Sequence, residues 1–449
     1  MGSGINRAWP PGPSEPASEQ VRRWIESPVD FWEACERTYG PVVGLDLGSL
    51  GPVVLLADAD AVRELFQLPS DAFECRQYNE HYRYVMGDNA VLLQDGASHM
   101  RQRRLLAPPL RADALAPSAA VIRDVAERTV ARWPVDDAFN PRPALHEIGF
   151  QVVLHLVFGE LASHTSRALL EIYRDAVAGQ VGSWGPWRNF MRLQPRIRAL
   201  LAHEIAARRA DASRPGLLTR VAQGRTPDGA PVSDAECEDH VFSMMIAGVD
   251  TAAVAVAWAL HWVGRDAAVR DRLCAELAGI DVAGGALRAL PYLHAVYCET
   301  LRMYPIVPTP SGRRLTRPQT IGGRAYDAGT TLVPCSYLVH RNASLYPSPH
   351  AFAPERFLAR RYARHEYFPF GGGVRLCAGE SLAELEFAVV LATILQRFDL
   401  SADADVALRP VRHGTLLAPA EHFRVRVRPA APRVSGALAD VPRASRVPS

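Results

Sequence analysis

The chain has 449 residues, enough for one large core, and its 48% hydrophobic and 22% charged residues are ordinary for a globular protein. Fifty basic residues, all arginine, face 48 acidic ones, and a net charge of +2 leaves no nucleic-acid footprint. Seven cysteines, odd in number and irregularly spaced, exclude a disulfide framework and an iron–sulfur pattern and point to a reducing, cytoplasmic compartment.

Residues 1–19 are polar and rich in proline, without a charged-then-apolar leader, so the sequence predicts a tail and no membrane anchor. Val21–Tyr39 reads as a helix with an irregular middle at Ser27-Pro28, and Val42–Leu56 alternates around Gly48-Ser-Leu-Gly51 as a β-hairpin. Asp60–Phe66 is again helical. Residues 70–90 have no period and hold Tyr78, Tyr82, Tyr84 and Met86; they read as a long loop covering a binding site, with surface packing as the alternative. On the predicted helix Gly96–Leu106, His99 and Arg103 stand four apart on one face, in a region that could equally be solvated. From Ala112 to Ala222 the pattern is helical with breaks near Pro134, Pro141, Pro186 and Pro215. Within it Val181–Leu193, carrying Trp184, Trp187 and Phe190, reads as a mobile lid, or else as core packing.

Ser233-Asp-Ala-Glu236 reads as a capping box that opens the longest apolar helix, running to about Gly264. Val241–Val263 is long enough to span a bilayer, but Asp250 and His261 inside it favour a core helix. Its centre is Ala247-Gly248-Val-Asp250-Thr251-Ala252. Glycine costs about 1 kcal/mol in a helix, and a buried carboxylate needs a partner, so such a run implies a functional cause. Tyr292–Met303 is a helix bearing Glu299-Thr-Leu-Arg302, which alone would be a surface ion pair worth less than about 1 kcal/mol. Thr320–Val333 reads as a small β-sheet. Arg412–Val427 reads as a final hairpin with its tip, Thr415–Ala418, toward a pocket, and residues 428–449 as a disordered tail.

Phe370-Gly-Gly-Gly373-Val-Arg375-Leu-Cys377-Ala-Gly379 organises the rest. Glycines let backbone amides approach the sulfur, and the amphipathic run Glu380–Phe398 predicts a helix whose N-terminus faces it, so a thiolate is expected. A single thiolate without CxxC neighbours is a poor zinc site and a good ligand for haem iron, the alternative being an inert buried cysteine.

F-x-x-G-x-R-x-C-x-G, matched at all five defined positions, resembles the haem-binding signature of the cytochrome P-450 family. The resemblance covers roughly residues 20–427, as one domain. It implies a mainly α fold with a small β-rich region, haem b held by Cys377, and monooxygenation of a lipophilic small molecule with O2. Residue by residue it implies His99, Arg103 and Arg313 (or its neighbour Arg314) as haem propionate donors. Phe370, Gly373, Arg375 and Gly379 would form the cofactor loop. Ala247 and Gly248 would make the oxygen groove, where the threonine bends the helix, and Asp250 and Thr251 would be the catalytic proton relay. Glu299, Arg302 and Arg356 match a buried structural triad. With no flavin fingerprint in the chain, electrons are expected from a separate ferredoxin or flavodoxin and its NAD(P)H reductase, docking at arginines such as Arg101 or Arg104. A monomer is expected. The flavour of residues 91–106 and 367–400 is that of bacterial enzymes of secondary metabolism, acting on terpenoid, polyketide or fatty acyl compounds. A peroxide-using enzyme and a non-catalytic haem sensor are the competing readings, and the intact Asp250–Thr251 pair argues against both.

Overall fold

The structure is a computed structural model and describes residues 9–177, 185–226, 228–402 and 408–430. It is mainly helical with a smaller β region. The central helix, Asp234–Arg265, runs through the middle of the largest apolar cluster, with Val254, Ala257, Trp258 and Leu260 fully buried. It is the one helix among the described residues long and apolar enough to cross a membrane, but most of it is enclosed by protein, so its apolar surface is used inside the fold.

The start of this helix follows from its sequence: the Ser233 hydroxyl accepts the Glu236 amide. The capping box is only half made, because the Glu236 carboxylate turns instead to Arg101, 2.7 Å away. The helix then crosses Arg142–Phe158 at a seam of two glycines. A Cβ on Gly248 would lie 2.8 Å from the Val153 side chain, and one on Gly149 would lie 3.1 Å from the Val249 carbonyl oxygen. These glycines let two backbones approach, which explains a residue otherwise costly in a helix.

The β region is a five-stranded sheet ordered Val42–Asp46, Pro52–Leu56, Thr331–Pro334, Arg313–Leu315 and Phe73–Glu74. Val43 pairs with Leu55 in the expected hairpin, and Pro52–Leu56 runs parallel to Thr331–Pro334. The single sheet expected over Thr320–Val333 is divided: Gln319–Ile321 and Arg324–Tyr326 pair only with each other, while Thr331–Pro334 joins the larger sheet. The last hairpin is shorter than expected, Pro410–His413 against Leu416–Pro419, and Val425–Pro429 pairs with Phe398–Ala402 and Ala138–Phe139. Trp258 anchors this hairpin by donating its indole N–H to the Leu417 carbonyl at 3.0 Å.

The first helical stretch is two helices, Ala17–Glu26 and Pro28–Tyr39, divided at Ser27 as expected. Trp9–Pro13 is part of the folded body, because the Gly44 amide donates to the Pro11 carbonyl at 3.0 Å. The 70–90 loop contains the short helices Arg76–Asn79 and Arg83–Met86. Near Pro186 a new helix begins, Gly185–Ala210, with the proline in its first turn, whereas Pro195 is carried inside the same helix. The suspected lid begins among residues that lie outside those described, as do Trp184 and residues 431–449; the expected tail starts later than 428, because Arg428 and Pro429 pair with Asp399 and Phe398.

Candidate functional site

A cavity of about 810 Å³ opens between the central helix, the helices Gly96–Leu106 and Pro291–Met303, the last hairpin and the cysteine loop. Its walls are mainly aliphatic and aromatic, with Leu110, Ala255, Leu301, Ile306, Leu382 and Leu417 among them. Such a wall suits an apolar ligand held by a few polar groups.

Backbone geometry fixes the cysteine loop. The Cys377 amide donates to the Phe370 carbonyl at 3.0 Å, and the Leu376 amide to the Gly373 carbonyl at 3.1 Å. Gly373 has φ of 62°, and a Cβ there would sit 2.2 Å from the Phe66 carbonyl oxygen, so no other residue fits. The chain then enters the helix Glu380–Arg397, whose cap residue Gly379 donates its amide to Cys377 Sγ at 3.3 Å. Sγ is open to the cavity. Burial among protein atoms pushes the thiol above its usual range, and the Gly379 amide and the Arg103 charge only partly oppose it. The expected thiolate is therefore not secured by the loop alone.

His99 and Arg103 both reach the cavity. His99 Nδ1 is buried with no hydrogen-bond partner, and burial together with the charges of Arg375 and Arg103 pushes its pKa down to about 3, leaving a neutral imidazole. No carboxylate of the described residues pairs with Arg103, whose own pKa is lowered first by burial. Two unused donors beside an open sulfur fit a flat prosthetic group with a metal centre and peripheral carboxylates. Arg375 lines the same wall but is committed to Asp95, whose carboxylate also takes the Cys75 amide at 2.7 Å.

Arg313 stands differently from expectation. It does not line the cavity: its guanidinium donates to the Gly372 carbonyl at 2.7 Å and to the Leu65 carbonyl, and lies between the rings of Phe66 and Phe73. Its two carbonyl bonds hold the cysteine loop against the neighbouring helix. Arg314 pairs with Glu74 at 2.7 Å.

Ala247, Gly248, Asp250 and Thr251 all line the cavity from the central helix, which stays continuous past them. The Thr251 hydroxyl donates to the Ala247 carbonyl at 2.7 Å, within its own helix. Asp250 is met by a residue that no local motif could reveal, His146, with Nδ1 3.0 Å from Oδ1. Burial raises the Asp250 carboxyl, but His146, His413 and Arg142 outweigh it and hold it below the usual range. Glu386, from the cysteine helix, also lines the cavity; it is 2% exposed, its Oε2 has no partner, and burial pushes its pKa up to about 8. Only an acidic residue on an otherwise apolar helix face could have marked it in the sequence.

Beneath these groups lies a fully used ion cluster. Arg302 and Glu299, both 0% exposed, form two parallel bonds of 2.7 and 2.8 Å, and Arg356 joins Glu299 at 3.1 Å. All seven cysteines are free.

A family model for cytochrome P450 matches residues 18–180 and 184–427. The Mycobacterium tuberculosis protein named cytochrome P450 135B1 is 34% identical over 435 residues, covering 93% of this chain and 91% of its own length. Cytochrome P450 137 of the same organism is 30% identical over 410 residues, covering 88% of this chain and 84% of its own. Among solved structures, the retinoic acid-bound cyanobacterial CYP120A1 superposes with a TM-score of 0.82 at 22% identity, covering 95% of this chain and all of that one. CYP102L1 gives 0.80 at 20% identity, with coverage of 95% and 100%. With a signature cysteine, a cavity above it and a family match along almost the whole chain, this protein belongs to the cytochrome P450 family of haem-dependent oxidoreductases.

Proposed function

We propose that Cys377 is the axial thiolate of a haem b in this cavity and that the chain is a monooxygenase of a lipophilic small molecule, of the terpenoid, polyketide or fatty acyl kind. The observation that carries the reading is one cavity onto which Cys377 Sγ, the unused donors of His99 and Arg103, and the Asp250–Thr251 pair all open. When bound, haem supplies dioxygen activation and transfer of one oxygen atom to substrate.

The residues divide the remaining work. His99 and Arg103 hold the carboxylates of the cofactor, the second as a permanent charge. Arg375 positions the loop through Asp95, and Arg313 does so through Gly372. Phe370 and Gly379 fix the sulfur by backbone contacts. Gly248 keeps the central helix close to Val153, and the small side chains at 247 and 248 leave room in the cavity. Asp250 exchanges protons with the Thr251 side of the cavity, and the Thr251 hydroxyl holds a proton at Oγ1. Aliphatic walls exclude bulk water from this chemistry and select apolar substrates.

Residues 20–427 are read as one catalytic domain acting as a cytoplasmic monomer. Electrons come from a separate ferredoxin or flavodoxin with its reductase. Of the two arginines expected at its docking face, Arg101 is engaged with Glu236 and Arg104 is exposed, so Arg104 is the better contact.

The test is spectroscopic. The reduced carbon monoxide complex of the parent should show the red-shifted Soret band of haem-thiolate proteins, and Cys377→Ala should lose that band with most of its haem. A normal red-shifted band in the purified alanine variant refutes the ligand assignment.

A further inference from the structure

We infer that His146 is the group through which protons reach Asp250, so that this chain draws protons for its oxygen chemistry from the Arg142–Phe158 helix. The inference rests on the roles proposed above for Asp250 and Thr251. Asp250 Oδ1 meets His146 Nδ1 at 3.0 Å, across the seam of two packed helices. The other imidazole nitrogen, Nε2, is buried and has no hydrogen-bond partner; Arg142 Nε and the Tyr173 hydroxyl, both near enough to feel the Asp250 charge, are buried and unpartnered too. Three buried polar atoms lacking partners near one carboxylate–imidazole contact are groups of the kind that a buried water completes, since each such water takes two to four hydrogen bonds. An imidazole whose free nitrogen meets such a water and whose other nitrogen is on a carboxylate can accept a proton at Nε2 and release one from Nδ1. The proton count stays balanced: one enters from water, one leaves to Asp250.

The groups around the pair come from the helix of His146 itself and from three other places. Arg142 lies on the helix of His146, Tyr173 on His164–Val177, His413 on the last hairpin and Glu421 beyond it. Glu147 is held by Arg132 and Arg174. Burial raises the pKa of the Tyr173 phenol and lowers that of His413; of the two imidazoles that act on Asp250, His146 is the one at hydrogen-bond distance from its carboxylate. An arginine at position 146 could neutralise Asp250 but could not pass a proton on.

His146→Asn places an amide donor where Nδ1 lies and retains the bond to Asp250 while abolishing transfer. With any accepted substrate, the variant should keep the parent's substrate-induced spectral shift and binding constant. Its turnover should fall by about tenfold or more, with a larger solvent deuterium isotope effect. Unchanged turnover and isotope effect overturn the inference. Nitrogen-15 histidine spectra of the diamagnetic reduced carbon monoxide complex, with the His146 signal identified by its loss in His146→Asn, supply a readout independent of turnover. The Nδ1 resonance should move in Asp250→Asn, and indifference to that change overturns the pairing. If Asp250→Asn itself turns over like the parent, the proposed relay fails; if it is slow while His146→Asn is normal, only the route through His146 fails.

Discussion

Removing one member of the Glu299–Arg302–Arg356 cluster should cost more than almost any other single change in the chain. Every donor of Arg302 is occupied: Nε and Nη2 bond Glu299 at 2.7 and 2.8 Å, Nη1 bonds the carbonyls of His340 and Pro349 at 2.9 and 2.8 Å, and Nη2 also bonds the Ala351 carbonyl at 3.1 Å. Glu299 in turn accepts from Arg356 at 3.1 Å and from the Ala353 amide at 2.8 Å. Glu299→Ala therefore strands a guanidinium at 0% exposure and orphans a backbone amide. An uncompensated buried charge costs about 3–5 kcal/mol, and the amide adds about 1 kcal/mol or more. Arg302→Ala takes the donor from the His340 and Pro349 carbonyls, leaves Ala351 with Arg356 at 3.4 Å and lets Glu299 keep Arg356, so it should fall at the lower end of that range. The double variant Glu299→Leu with Arg302→Met should lose less than the sum of those two single changes, because the fully buried guanidinium is gone and the Arg356 charge that remains is partly exposed. Denaturant unfolding of the haem-loaded protein measures all three. Single variants within about 1 kcal/mol of the parent, or strict additivity, would refute the account of a desolvated cluster.

Thr251→Ala should bind substrate normally but divert reducing equivalents to hydrogen peroxide, measured as product per nicotinamide oxidised; an unchanged ratio means the hydroxyl does not direct protons. Gly373→Ala should lower haem content and melting temperature, because the Cβ would meet the Phe66 carbonyl oxygen at 2.2 Å where φ is 62°. Glu386 has a pKa raised from 4.5 to about 8, so its folded form keeps a proton that the unfolded chain releases, and stability is lost as pH rises through that window. Glu386→Gln should match the parent near pH 4.5 and exceed it by roughly 3 kcal/mol at pH 7; an equal gap at both pH values would show that ionisation is not the cause.

What the sequence revealed had short range. The cysteine loop, the central helix and the helix bearing Glu299 each carry their pattern within ten to thirty residues, and periodicity found the first helices and the 42–56 hairpin in the same way. Arg356 is legible only through the family resemblance, as the third member of the triad with Glu299 and Arg302. Partners chosen by tertiary geometry stayed hidden. Glu236 looked like a capping-box acid until Arg101, from a distant helix, claimed its carboxylate. Arg313 was assigned to the cofactor by position, yet its planar donors meet two carbonyls and two aromatic rings below the loop. His146 and Asp250 are far apart in the chain, and nothing local to either announces the other. Glycine 248 was assigned to the oxygen groove alone, whereas contact with Val153 also demands it.

The distribution of unsatisfied polar atoms separates what holds this fold from what works in it. Burying a polar atom without a partner costs about 1–3 kcal/mol, so a folded chain retains few such atoms unless something outside the polypeptide completes them. In the Glu299–Arg302 cluster the pairing is complete, and the cluster faces protein on all sides. Around the cavity the pattern reverses. His99 Nδ1, both nitrogens of His240, the Tyr297 hydroxyl and Glu386 Oε2 all lack hydrogen-bond partners among protein atoms and belong to residues of the cavity wall. Arg142, His146 and Tyr173 add three more behind Asp250. Four more such atoms lie elsewhere among the described residues, on Gln102, Trp133, Trp262 and His340, but the larger share belongs to the cavity wall or to the groups behind Asp250. Unpartnered polar atoms thus gather mainly where a cofactor, water and substrate have to supply the missing partners, whereas Glu299 and Arg302 satisfy each other.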